Sequence, residues 1–223
     1  MLKTILIIAL SAHSAASTAP VKEAGSGDSE MLYTLGYLLG RNLMPFDLKP
    51  NEFKPLESGL RDAAAGAKPK HNLSQTAPKI EEWAGKRQSA KAGDEKKRAQ
   101  AWLDKMGKEK GAQVSPTGLV FIPLREGTGP SPASTDSVKA HYEGRLWSGM
   151  KFDSSYDRGA PTDFSLASVI RCWTEGIPKM KVGGKARLIC PSDIGYGDEG
   201  NPPAKIPGGA PLDFTVELLG INK

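Results

Sequence analysis

The chain has 223 residues, 39% of them hydrophobic, and a formal net charge of +5. That length fits one large or two small domains, and that apolar content supports a packed core but not a membrane protein. The basic excess favours a nucleic-acid or anionic-membrane partner only where it is concentrated on one surface.

The opening stretch, "MLKTILIIALSAHSAASTAP", has one early Lys, a short apolar run and then small residues. This is the layout of a secretory signal peptide. The run is well short of the ~20 residues that span a bilayer, so no transmembrane segment is expected. Ser14-Ala15-Ala16 and Ser17-Thr18-Ala19 both suit cleavage, which makes 1–19 the leader. An uncleaved anchor or a loose tail is the alternative. No Cys lies nearby to carry a lipid. Export implies an oxidising compartment, which changes the meaning of the two cysteines.

Residues 20–74 read as a helical domain. A small, polar lead-in over 21–30 precedes "MLYTLGYLLGRNLMP", which places Leu32, Leu35, Leu39 and Leu43 on one stripe with Tyr33 and Tyr37 beside it. Asp28 or Ser29 can cap its start and Pro45 limits its end. A second helix fits "PNEFKPLESGLRDAAAG", with Phe53, Leu56 and Leu60 on one side, closed by Gly66 and Pro69. Helices this short are marginal alone, so a homodimer pairing through 29–65 is expected.

Residues 75–113 read as a stalk helix of roughly 55 Å at ~1.5 Å per residue. Ile80 and Trp83 form one apolar cluster and Trp102, Leu103 and Met106 another, with charges and Ala between. From 79 to 110 there are ten Lys/Arg against six Asp/Glu, so most of the excess charge sits here among acids. A helix polar nearly all round bridges domains through solvent, and a solvated stalk is expected ahead of a nucleic-acid surface. Gly85, Gly93 and Gly107 each weaken it by ~1 kcal/mol relative to Ala, so bending is expected there.

Residues 114–223 change to short strands. "SVKAHYEG" puts Val138, Ala140 and Tyr142 on one face, "KARLICP" has the length of a buried strand, and "APLDFTVELLG" alternates Leu212, Phe214, Val216 and Leu218 with polar neighbours. "LASVIRCWTEGIPKM" reads as a short helix with Val169, Trp173 and Ile177 inward. An antiparallel sheet with one helix packed on it makes this an α+β domain. With strands, helix and core of its own, it is expected to fold without the arm.

No metal-ligand spacing occurs: His13, His71 and His141 are scattered, and His13 lies in the leader. No Gly-rich phosphate loop and no Ser/His/acid set is present, so no metal or cofactor is expected. Aromatics are concentrated instead: Tyr142, Trp147, Phe152, Tyr156, Phe164, Trp173, Tyr196 and Phe214. Some must be core. Tyr196 is not, since it sits in "SDIGYGDEG", a loop of glycines and acids where a hydroxyl usually serves a partner. Asp153 directly follows Phe152. It either finishes a turn, paired with Arg158, or faces a pocket.

Three stretches, "GTGPSPASTDSVKAHYEGRLWSGMKFDSSYDRGAP", "VIRCWTEGIPKMKVGGKARLICPSDIGYG" and "IPGGAPLDFTVELL", resemble the FKBP-type peptidyl-prolyl isomerases over about 125 to 220. "YTLGYLLGRNL" and "SPTGLVFIPLREGTG" resemble the arm and stalk of the Mip-like and FkpA-like members from Gram-negative bacteria. The resemblance implies an antiparallel half-barrel around a short helix, isomerase activity on proline-containing or unfolded polypeptides, inhibition by rapamycin-type macrolides, and a periplasmic, outer-membrane-associated or secreted location. It implies Trp173 as the pocket floor, with Tyr142, Phe152, Val169, Ile170 and Phe214 as walls. Asp153 and Tyr196 are then polar rim groups, Arg158 holds Asp153, and Ile206 sits on an overhanging loop. Phe152, Tyr142, Asp153 and Tyr196 become the catalytic set. Thr162 stands where many members carry a wall Phe, which should loosen that side. Cys172 and Cys190 either form a disulfide or remain two buried thiols. A holdase chaperone with a secondary pocket is the alternative function. The acids among the stalk's bases argue against nucleic-acid binding.

Overall fold

The computed structural model describes residues 26–222, so the expected leader lies outside the described residues. The chain divides into two compact units, one through Leu43 and one from Met44 onward.

The first unit contributes α1, Ser26–Arg41. It starts ahead of the expected Asp28 or Ser29 cap and stops short of Pro45, which leaves Leu43 in the following turn. Leu32, Leu35 and Leu39 share a face and are 59%, 55% and 48% exposed. Tyr33 and Tyr37 stack at 6.4 Å farther round the helix.

In the second unit, α2 spans Phe53–Ala64 after two single-turn 3-10 helices. Phe53 and Leu60 remain exposed and Leu56 is half-buried. The four-residue α3, Leu73–Thr76, is capped by Asn72, whose Oδ1 accepts the Ser74 N–H at 3.1 Å. Then α4 runs unbroken from Pro78 to Met106, about 43 Å at ~1.5 Å per residue. It is shorter than the expected stalk, contains Gly85 and Gly93, and ends at Gly107. Its first half is tied to the preceding segment: the Arg87 guanidinium donates to both Glu52 carboxylate oxygens at 2.7 and 2.8 Å and lies over Trp83, which stacks on Phe46.

The second half of α4 is not the solvated rod that its charge pattern suggests. Ala92, Glu95, Ala99 and Met106 are buried. Ala92, Ala99 and Met106 recur every seventh residue, so they share one side of the helix. Two alanines on that side let the helix backbone come close to what it covers.

The rest is an antiparallel sheet built from β1 (Gln113–Val114), β2 (Val120–Arg125), β3 (Ser137–Leu146), β4 (Lys151–Ser154), β5 (Thr162–Ser165), β6 (Lys185–Cys190) and β7 (Leu212–Asn222). The spatial order is β1-β2-β6-β7-β3-β4, with β5 also on β3. One helix, α5 (Arg171–Gly176), sits between β5 and β6 in sequence. Successive strand residues point to opposite faces, and both faces are used. Phe121, Leu188 and Cys190 join the core that contains Cys172, Trp173 and Ile177 around α5. Their neighbours Val120, Ile122 and Ile189 form a second cluster with Met106, Trp102 and Leu103 of α4. The sheet is therefore covered by α5 on one face and by the end of α4 on the other. A disulfide joins Cys172 of α5 to Cys190 at the end of β6, with their Cα atoms 5.7 Å apart.

Candidate active site

The alternation of β3 turns Tyr142 to the α5 side, and that of β7 does the same for Phe214. Both rings meet Trp173 edge-on, at 5.3 and 5.2 Å between centroids. Phe164 of β5 adds a third edge contact at 4.9 Å. Phe152 of β4 meets Phe214 at 5.6 Å. These perpendicular contacts suit ring quadrupoles and build a rigid box. Gly144 makes room for it: a Cβ there would lie 2.5 Å from the Phe152 ring and 2.9 Å from Phe214.

Val169 and Ile170, just ahead of α5, are half-buried against the same cluster. The Trp173 indole N–H is buried without a partner among the described residues. A buried donor left so costs on the order of 1–3 kcal/mol, and such groups collect where a ligand or strain has a use for them.

The rim is a closed polar ring. The Tyr142 hydroxyl donates to Asp153 Oδ2, and Arg158 Nη1 donates to Asp153 Oδ1. Arg158 Nη2 donates to the Tyr142 oxygen at 2.7 Å, and its guanidinium lies 5.4 Å from the Tyr142 ring centre. The carboxylate thus pairs with Arg158, as the turn reading expects, and also holds the Tyr142 hydroxyl. Partial burial works to raise the Asp153 pKa, but the Tyr142 hydroxyl and the Arg158 guanidinium outweigh it and hold the carboxyl below the usual range. Burial, reinforced by the Asp153 carboxylate, pushes the Tyr142 phenol up. The Tyr142 and Tyr156 hydroxyls are engaged by Asp153 and Glu217. The half-buried Tyr196 makes no side-chain hydrogen bond among the described residues.

Residues 129–219 match the family described as FKBP-type peptidyl-prolyl cis-trans isomerase, and 28–122 match the domain amino terminal to it. The FKBP-type peptidyl-prolyl cis-trans isomerase FkpA of Escherichia coli O157:H7 is 34% identical over 97% of this chain and 84% of its own. The peptidyl-prolyl cis-trans isomerase Mip of Coxiella burnetii is 31% identical over 98% and 94%. The chain belongs to the FKBP-type peptidyl-prolyl cis-trans isomerases. The crystal structure of FkpA from Escherichia coli superposes on this FKBP with a TM-score of 0.63, at 32% identity, covering 89% of this chain and 97% of that one. An isomerase from Pseudomonas syringae pv. tomato gives 0.55 at 34% identity, over 59% and 96%.

In this FKBP the residues singled out from sequence fall in or against the domain's main hydrophobic core, or in the polar ring beside Tyr142. Tyr142, Trp173, Phe214 and Ile206 are in the core cluster, with Phe152, Val169, Ile170 and Tyr196 packed against it and Asp153 and Arg158 above. Ile206 is only 2% exposed, so it lies within the cluster rather than over open space. Thr162, half-buried, is 3.5 Å from Arg158 Nη2. Phe164 is absent from the set that sequence singles out: it sits two residues beyond Thr162 on the same strand face and meets Tyr142 and Trp173 edge-on. Trp147 stands apart, its indole N–H donating to Glu95 of α4 at 2.6 Å. His141 is also outside, with Nδ1 2.9 Å from Ser155 Oγ and its ring stacked on Tyr156.

Proposed function

We propose that the box around Trp173 is the isomerase site of this FKBP and that it works by removing water from a twisted X–Pro imide. Resonance makes the planar imide dipolar and sets a barrier of ~18–20 kcal/mol to rotation. Twisting weakens that dipole, so the transition state loses less than the ground state on entering an apolar box. Each ~1.4 kcal/mol of difference is a factor of ten in rate. No acid, base or nucleophile is needed. The single observation that carries this reading is the set of three rings edge-on to Trp173 beneath a self-neutralised Tyr142–Asp153–Arg158 ring. Because Asp153 spends its charge on Arg158, the rim presents little net field to a planar amide. Tyr196 is then the hydroxyl that takes a carbonyl flanking the proline, while Val169, Ile170 and Ile206 complete the wall.

The clients are unfolded or proline-containing chains in the periplasm, consistent with the leader-like start and the oxidised Cys172–Cys190 pair. The exposed Leu32, Leu35 and Leu39 face of α1 supports a two-fold homodimer through 29–65. The test is a tetrapeptide isomerisation assay on the full chain with Asp153→Leu and Phe152→Ala, with and without a rapamycin-type macrolide. Both variants are expected to lose most of the activity while melting as folded proteins, and the macrolide to inhibit the wild type. Unchanged turnover in folded Asp153→Leu removes the rim ring from the mechanism.

A further inference from the structure

The segment between β6 and β7 carries Tyr196 and Ile206 with little regular structure. It has two single-turn 3-10 helices, Ser192–Ile194 and Pro202–Ala204, and one bridge between Asn201 and Ile206. A loop this irregular needs outside supports to hold a hydroxyl still, and one turn of α4 provides them. Lys96 Nζ donates to Asp193 Oδ1 at 2.7 Å and to Asp198 Oδ1 at 2.8 Å, one on each side of Tyr196. Ala92, one turn earlier, is fully buried. A Cβ on Gly209 would lie 2.2 Å from the Ala92 carbonyl oxygen, and Gly209 has φ +79°, so helix and loop backbones touch where only glycine fits. Between these contacts Glu95 is 7% exposed. It accepts the Trp147 indole N–H and is paired with Arg98. Trp147 heads the turn into β4 and Phe152, and its backbone N–H reaches the Pro211 carbonyl at 3.3 Å, at the root of β7.

We propose that Ala92, Glu95 and Lys96 are positioning residues of the isomerase: α4 grips both ends of the Tyr196 loop and sets the pose in which that hydroxyl meets substrate. This rests on the reading of Tyr196 as a pocket group. A passive spacer has no use for a buried carboxylate, which is costly unless paired, or for a lysine shared between two acids of one loop. The stalk of this FKBP is therefore part of the active-site support, and short peptides feel it as much as long clients do.

The test is tetrapeptide kinetics on the full chain. Lys96→Ala is expected to raise KM about threefold with little change in kcat, the scale of two exposed ion pairs. Lys96→Arg should restore it, and Lys97→Ala, exposed one position on, should alter neither. Wild-type KM should climb with salt toward the Lys96→Ala value, since the Debye length is only ~3 Å at 1 M. Ala92→Leu, a wedge against Gly209, should act in the same direction and more strongly. Combining Lys96→Ala with Tyr196→Phe decides the route: if Lys96 acts through Tyr196, its loss adds nothing in the Tyr196→Phe background, whereas independent effects add. Additive losses overturn the proposal. So does a normal KM in Lys96→Ala beside an impaired Tyr196→Phe, which condemns the clamp and spares the pocket. An unimpaired Tyr196→Phe condemns the pocket reading of Tyr196, and the clamp's catalytic role with it.

Discussion

Cutting the chain between residues 113 and 114, at the domain boundary suggested by composition, uncovers one face of the sheet. Val120, Ile122 and Ile189 are at present 3%, 4% and 0% exposed. Their cover is Met106, Trp102 and Leu103 of α4, with Ala112, all of which the cut removes. It also removes Glu109, which accepts from Arg187 at 3.0 Å. Full burial of such a side chain is worth ~1.5–3 kcal/mol. The sheet itself still shields roughly half of each, so the three together lose about 3 kcal/mol. In a fragment of 110 residues, at about 4 °C per kcal/mol, that lowers Tm by about 12 °C. The assay is thermal melting of fragments 114–223 and 88–223 by circular dichroism, with a dye that reports exposed apolar surface. The shorter fragment is expected to melt lower and bind more dye. Midpoints within 2–3 °C of each other, a small fraction of the ~12 °C expected, refute the covering role of α4.

Three further outcomes follow from particular groups. Cys172 and Cys190 are both fully buried, so the native protein should resist alkylation, and intact mass should rise by two hydrogens only after reduction of the unfolded chain. Opening this loop of 18 residues by a paired change to Ala should cost ~3 kcal/mol in a denaturant titration. The Asp153 carboxyl has a folded pKa below its unfolded one, so its contribution to stability is fully present above about pH 4–5 and is lost as pH falls through the folded value. The stability gap between wild type and Asp153→Asn should accordingly be flat from pH 5 to 8 and close in stronger acid; a gap that closes near neutrality contradicts the ring. Leu35→Glu, placed in the exposed face of α1, should give a monomer by light scattering with unchanged tetrapeptide activity, and a dimer that survives it shifts the interface elsewhere.

What sequence conveys depends on how many sides of an element are covered. β7 is legible because Leu212, Phe214, Val216 and Leu218 are buried and their neighbours are less so. In β2 the run Val120-Phe121-Ile122 is buried on both faces, and alternation vanishes. The ring cluster follows from the resemblance alone, because no spacing rule brings Tyr142, Phe152, Trp173 and Phe214 together from four separate elements. Phe164 is not marked out by sequence, because on a strand of only four residues its ring reads as ordinary core. Two cysteines in one domain permit a disulfide, but only the 5.7 Å between their Cα atoms makes the choice. The docked half of α4 is the most instructive loss. Glu95 sits in "GDEKKR", where a carboxylate reads as surface. Ala92 and Ala99 contribute almost nothing to hydropathy, yet both are fully buried, and Ala92 admits the close backbone approach at Gly209. A solvated stalk and a docked one can have the same charge pattern. The difference is carried by small residues repeating on one side of the helix and by a glycine far away in sequence that receives the first of them. Small-residue periodicity on a charged helix is therefore a docking signal, and here the surface it docks on carries Tyr196.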